Sequence, residues 1–241
     1  MAADAAPAFV LLDRLPAAGE ELRVEGDEAH YLSRVVRARA GERVTATNGA
    51  GTIATLEVLE SRPEVRVLGI SSRIVERSSP RTLWCGAPEG DRADWLVEKL
   101  AELGVAHLVL VDFERSAWER ASSRLERWRR LTAAGLRQSQ SAFRMTISAP
   151  VGLPGLLTAL PPAFAGAMAL PGATLAIGDA PRPAGGVTGV VGPSPGFSAG
   201  EVKLLQEAGF IPVSLGPSRL RTETAAMAMA VCWQVGAPQE S

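Results

Sequence analysis

Two stretches of this chain have the residue types to grip a ligand: Val187-Thr-Gly-Val-Val-Gly-Pro-Ser-Pro-Gly-Phe-Ser198 and Val213-Ser-Leu-Gly-Pro-Ser-Arg-Leu-Arg-Thr-Glu-Thr224. In each, an apolar run ends in Gly-Pro and a helix is expected to start at a hydroxyl residue. Ser198 and Glu201 have the spacing of a capping box. The hydroxyl accepts from the backbone N–H three residues on, and the carboxylate reaches back. Thr222 is the expected cap of the second helix, with Glu223 placed favourably for the helix dipole. Taken singly, each turn reads as a strand-to-helix connection. Side by side in a parallel sheet, the two make the kind of crevice in which α/β proteins bind small molecules. Neither stretch carries Gly-x-Gly-x-x-Gly or the phosphate-binding Gly-x-x-x-x-Gly-Lys, so neither is a standard nucleotide motif.

Hydrolytic and metal chemistry have little to work with. His30 and His107 are the only histidines and lie far apart in the chain. Cys85 and Cys232 lack metal-ligand spacing and sit in apolar segments, so both read as buried free thiols. No metal is expected. A formal net charge of −1 does not mark the chain as a nucleic-acid binder overall, which leaves local patches to do that work. The cations are arginines apart from Lys99 and Lys203, and a guanidinium suits bidentate phosphate contacts. No uncharged apolar run would span a bilayer. The opening Met1 to Pro7 lacks the basic-then-apolar layout of a leader, so a cytoplasmic chain with no membrane partner is expected.

The elements that must position the two turns come from repeated strand–helix units. Thr82 to Ala87 reads as a strand, Ala93 to Leu103 as a helix ending at Gly104, and Val105 to Val111 as a buried strand. Trp118, Ala121, Leu125, Trp128 and Leu131 have helical spacing. Residues 146–186 give only short apolar runs, at Leu153–Leu160 and Leu175–Ile177. Such alternation implies a parallel sheet flanked by helices. Before it, residues 8 to about 75 read as short strands: Phe9 onward, Leu22 onward, two strands joined by the Asn48-Gly49 turn, and Val65 to Ile70. They are interrupted by one small helix, capped by Asp27, with Tyr31, Leu32, Val35 and Val36 as its apolar positions. A small barrel is the natural closure for them. The polar stretch Glu76 to Pro80 places the domain boundary, giving 1–75 and 76–241.

Gly-Pro-x-x-Gly-Phe-Ser from Gly192, then Glu207-Ala-Gly-Phe-Ile-Pro-Val-Ser-Leu-Gly216, then Leu220-Arg-Thr-Glu-Thr-Ala225 resembles the RsmE family of 16S rRNA uracil-N3 methyltransferases. That family belongs to the SPOUT class. The resemblance covers nearly forty consecutive positions in order. The segment from Gly26 to Glu42 is similar to the family's N-terminal PUA-like module. The resemblance implies an α/β chain in which a SPOUT-type trefoil-knotted parallel-sheet domain is preceded by a small PUA-like, RNA-binding β-barrel. It also implies S-adenosylmethionine as cofactor, 16S rRNA or the small ribosomal subunit as partner, and a homodimer. Cofactor contacts are implied at Val191, Gly192, Gly196, Leu215, Gly216, Leu220, Thr222 and Ala225. Catalytic roles are implied at Arg221 and Glu223. RNA-facing candidates are Arg34, Arg37 and Arg39 on the N-terminal module and Arg92 at the first helix of the second domain. Arg115, Arg120, Arg124, Arg127, Arg129, Arg130, Arg137 and Arg144 in the long-helix region are a further basic track, also readable as a solvated face.

Four segments depart from the family pattern. Its Gly-Pro-Glu-Gly-Gly is Gly192-Pro-Ser-Pro-Gly196 here, where Ser194 removes a carboxylate and Pro195 removes a backbone N–H and fixes φ. Its Pro-Lys-Gly-Asp is Pro88-Glu-Gly-Asp91, and its Glu-Gln-Ser-Gly-Arg is Arg137-Gln-Ser-Gln-Ser141. Its arginine before the first strand is Ala8. A catalytically silent RNA-binding relative, or a SPOUT enzyme with another RNA substrate, are the alternative readings that these changes leave open.

Overall fold

The computed structural model describes residues 8–77, 79–162, 164–183 and 185–235. The reading of Met1 to Pro7 and the Ser78 position of the expected linker lie outside them. The described residues divide into two compact units, 8–77 with 136–144 and 79–135 with 145–235.

In the first unit, β1 (Phe9–Leu11) and β2 (Glu21–Val24) precede a helix, α1 (Gly26–His30). Three longer strands follow: β3 (Arg43–Thr47), β4 (Thr52–Glu60) and β5 (Val65–Ile74). They form one sheet in the order β1-β3-β4-β5-β2, antiparallel except for the β1–β3 pair. Alternation does the work along β4: Ala54, Leu56 and Val58 turn inward and meet Val10, Leu32, Val44 and Val67. The β3–β4 turn is closed by Asn48, whose Oδ1 accepts from the N–H of Ala50 and of Thr52. The small helix differs from expectation. Glu25, not Asp27, holds the cap position, without a side-chain bond. After His30 the chain widens into a π-helical turn, Tyr31–Val36. Its wider turn breaks the 3.6-residue spacing, so Leu32 stays buried while Val35 and Val36 face solvent.

In the second unit, β6 (Arg81–Cys85), α2 (Ala93–Glu102), β7 (His107–Asp112) and α3 (Ala121–Ser139) follow the expected alternation. Next come the short β8 (Thr146–Ile147), β9 (Val151–Gly152) and α4 (Leu153–Thr158), then β10 (Gly166–Ala169) and a 3-10 turn at Ile177–Asp179. The chain closes with β11 (Val187–Val191), α5 (Ala199–Glu207), β12 (Phe210–Val213) and α6 (Thr222–Gln234). Every pairing is parallel, in the order β12-β10-β11-β6-β7-β8, with β9 also on β7. Its strands bury both faces, as parallel sheets require. On one face Leu83, Leu108 and Val191 pack with Leu96, Val97, Met229 and Trp233. On the other, Trp84, Met168 and Val190 pack with Leu205 and Phe210.

Sequence periodicity did not reveal β10. Gly166-Ala-Met-Ala has no β-branched residue, yet it forms the strand between β11 and β12. Its small residues are dictated by neighbours: a Cβ at Gly166 would sit 2.7 Å from the Phe210 ring.

Candidate functional site

The two Gly-Pro turns leave the ends of β11 and β12, with β10 between these strands in the sheet. Thr222 ties the turns together. It is the first residue of α6 rather than its cap, and its hydroxyl donates to the Gly192 carbonyl at 3.0 Å. Arg221 holds the cap position and makes no side-chain capping bond. At the other turn the expected capping box is present: Glu201 N–H donates to Ser198 Oγ at 3.1 Å, and Ser198 N–H to Glu201 Oε2 at 2.7 Å. The second oxygen of that buried carboxylate accepts from the Glu114 N–H at 2.7 Å. One side chain therefore fixes a helix start and a neighbouring loop.

The first turn is packed against the end of β6. Gly86 N–H donates to Val191 O at 3.0 Å and Ser194 N–H to Ala87 O at 3.3 Å. A Cβ on Gly86 would lie 2.4 Å from the Pro193 nitrogen, so only glycine admits this approach. Gly196 N–H closes back on Pro193 O at 2.8 Å, with Gly196 at φ +81°. A residue with a side chain would be strained there.

These turns and the end of β10 enclose a cavity of about 280 Å³. Of the eight residues expected to hold a cofactor, Gly192, Gly196, Leu215, Gly216, Leu220, Thr222 and Ala225 line it. Val191 does not: it is buried beneath, at the end of β11. Ala169, Leu170 and Pro171, contributed by β10 and the residues after it, also line the cavity and had no sequence signal. Phe197 and Arg219 complete the features of note. A glycine-rich, mostly apolar wall with a few polar groups is the composition of a small-molecule site. The residues present thus fit an adenosyl-sized ligand.

The two expected catalytic residues are placed differently. The Arg221 side chain is exposed beside the cavity lining. Glu223 is buried and accepts from Arg92 Nη1 at 2.7 Å; it does not line the cavity. The guanidinium of Arg92, expected to face RNA, is therefore committed to a carboxylate, although 42% of that side chain is exposed. Much of the basic track is also paired: Arg124 with Asp91, Arg127 with Asp94 and Arg129 with Glu126. In the first unit Arg137 pairs with Glu28, whose carboxyl burial pushes above its ordinary value despite that partner. Arg34, Arg37 and Arg39 are exposed, with Arg37 in the left-handed region at φ +57° as it ends the π-helical turn.

Cys85 is free and buried, and desolvation, with Glu223 nearby, pushes its thiol far up. Cys232 is half-buried rather than buried. His107 is exposed at the start of β7, its Nδ1 2.7 Å from Thr146 Oγ1. Among the described residues no group of three His, Cys, Asp or Glu side chains is placed to hold a metal ion. No described helix is long and apolar enough to cross a membrane.

Comparison with known proteins gives two family matches: an RNA methyltransferase domain over residues 76–234 and an RNA methyltransferase PUA domain over 24–68. A ribosomal RNA small subunit methyltransferase E from Mycobacterium bovis is 30% identical over 230 residues, 89% of this chain and 86% of that protein. The crystal structure of a ribosomal RNA small subunit methyltransferase E from Neisseria gonorrhoeae, bound to S-adenosyl methionine, superposes with a TM-score of 0.85. It is 27% identical, over 95% of this chain and 97% of that one. A putative methyltransferase from Legionella pneumophila, in complex with the same cofactor, gives 0.81 at 25% identity, over 95% and 96%.

Proposed function

This chain belongs to the RNA methyltransferase family whose domain spans residues 76–234, and we propose that it transfers a methyl group from S-adenosylmethionine to uracil N3 of 16S rRNA. One observation carries the reading. Seven residues from two separate turns and the start of α6, implied as cofactor contacts by the family resemblance, converge on one cavity at the ends of parallel strands. A relative of the same fold binds S-adenosyl methionine.

When bound, the cofactor supplies a methyl group already activated by the sulfonium. The chain's own task is then to align the acceptor nitrogen with it and to assist loss of the N3 proton. Gly192, Gly196 and Gly216 let backbone approach the ligand closely, and Phe197, Leu215 and Leu220 give it apolar wall. Arg221, exposed beside that wall, is the catalytic residue in this reading: its cation favours the anionic form of the base. Glu223 is a positioning residue, holding the start of α6 through Arg92. In this reading Arg34, Arg37 and Arg39 on the PUA-like unit, all exposed, meet RNA phosphates, and residues 1–75 and 76–241 act as RNA-binding and methyltransferase domains. The partner is 16S rRNA or the small subunit, the working form a homodimer, and the compartment the cytoplasm.

Calorimetric titration with S-adenosylmethionine and S-adenosylhomocysteine tests the first half of the reading, with micromolar binding expected. Nucleoside analysis of 16S rRNA after incubation tests the second, with 3-methyluridine expected. Ser194 and Pro195 favour one rival, a silent RNA-binding relative, and absence of both heat and thermal stabilisation would favour it over the enzyme. Arg221→Ala is expected to abolish methylation while leaving the unfolding midpoint unchanged, because the side chain is exposed and makes no capping bond. Unchanged turnover would remove Arg221 from the mechanism.

A further inference from the structure

The cavity wall contains one charged side chain, Arg219, and no carboxylate. The Arg219 guanidinium has no ion-pair partner among the described residues. Several other groups on the wall that could receive an anion are committed. Along the first turn, Pro193 and Pro195 have no N–H, Ser194 N–H is used by Ala87 O, and Gly196 N–H by Pro193 O. Across the cavity, Gly216 N–H goes to Ser214 Oγ, Ser214 Oγ to Gly216 O, and Thr222 Oγ1 to Gly192 O. From Pro193 to Gly196 the first turn therefore offers no backbone donor to an anion.

The proposed cofactor ends in an amino-acid group, with a carboxylate and an ammonium on one carbon. We propose that Arg219 receives that carboxylate and is the residue by which this chain distinguishes the full cofactor from adenosyl compounds lacking it. This rests on the cofactor reading above. A guanidinium matches a carboxylate with two parallel N–H donors, which a neutral hydroxyl such as that of Ser218 cannot do. The same charge repels the ammonium and the sulfonium. It therefore sets the orientation of the methionine arm, carboxylate toward Arg219 and the two cationic centres away from it.

The test is calorimetric titration of the full chain and its Arg219→Ala and Arg219→Lys variants. Each is titrated with S-adenosylmethionine and with decarboxylated S-adenosylmethionine, which differs only by the carboxylate. Wild type is expected to bind the full cofactor about tenfold more tightly than the decarboxylated one. Arg219→Ala should lose about that factor for the full cofactor, and less than about twofold for the decarboxylated one, so that discrimination vanishes. Arg219→Lys should retain part of it. Equal losses for both ligands, or unchanged affinity for the full cofactor, would overturn the assignment. Unchanged cofactor affinity with weakened binding of a 16S rRNA fragment would overturn it in favour of a phosphate contact. Failure of wild type to bind either compound would overturn the cofactor reading itself, a result distinct from all of these.

Discussion

At the residue scale, charged groups here must be judged by what they touch rather than by their place in a motif. Arg92 and Glu223 are far apart in sequence and neither periodicity nor spacing links them, yet they form the ion pair that anchors the start of α6. Arg92→Met would strand a carboxylate whose side chain is only 6% exposed. Because Arg92 itself is half in solvent, the expected loss is about 2 kcal/mol, below the range of a fully buried pair. In urea denaturation, adding Glu223→Gln should recover part of it; strictly additive losses would show that the two side chains are not coupled. Cys85 carries a second prediction. Its thiol is held protonated by burial, whereas the unfolded thiol ionises near its ordinary value. The folded chain therefore loses stability as pH rises through and above that ordinary value. Near pH 8, mass analysis after iodoacetamide treatment should find label on half-buried Cys232 and none on Cys85 until denaturant is added; prompt labelling of Cys85 would contradict its burial. The Ser198–Glu201 box was legible because both partners are local. Thr222 was misread as a cap because its true acceptor, Gly192 O, is thirty residues away.

At the element scale, strands with β-branched alternation and helices with terminal glycines could be read directly. Thr52–Glu60 and Val187–Val191 are strands, and α2 ends at Gly104, whose φ is +65°. The elements that escaped are those whose character is imposed from outside. β10 is a strand because β11 and β12 flank it, and the π-helical turn at Tyr31–Val36 obeys neither common period. Gly189 shows how tightly α6 sits on β11. A Cβ there would lie 2.3 Å from the Met229 sulfur and 2.6 Å from the Trp233 ring. Gly189→Ala is expected to lower stability by about 1–3 kcal/mol through overpacking. Since α6 begins at the cavity, cofactor affinity should fall with it. An unchanged thermal midpoint would mean that the helix shifts away without cost.

At the scale of the whole molecule, the first unit draws on two separated pieces of sequence. Residues 136–144 belong with 8–77, which no composition shift announced. There the buried hydroxyl of Thr47 donates to Ala142 O at 3.0 Å, Arg144 N–H donates to Gly49 O at 2.9 Å, and Arg137 pairs with Glu28. A fragment ending at residue 77 would orphan all three contacts. It is expected to lose on the order of 3 kcal/mol relative to the same unit in the intact chain. Denaturant titration followed by circular dichroism would show this as a lower midpoint, and an equally stable fragment would refute it. The cavity in the second unit has a related consequence, set by time. Its wall is drawn from 169–171, 192–197 and 214–225, so Gly192 and Ala225 leave the ribosome about thirty residues apart. At ordinary synthesis speeds that interval lasts roughly 2–6 s. Throughout it the first turn exists without its counterpart, so a nascent chain has no complete ligand site until α6 begins to emerge.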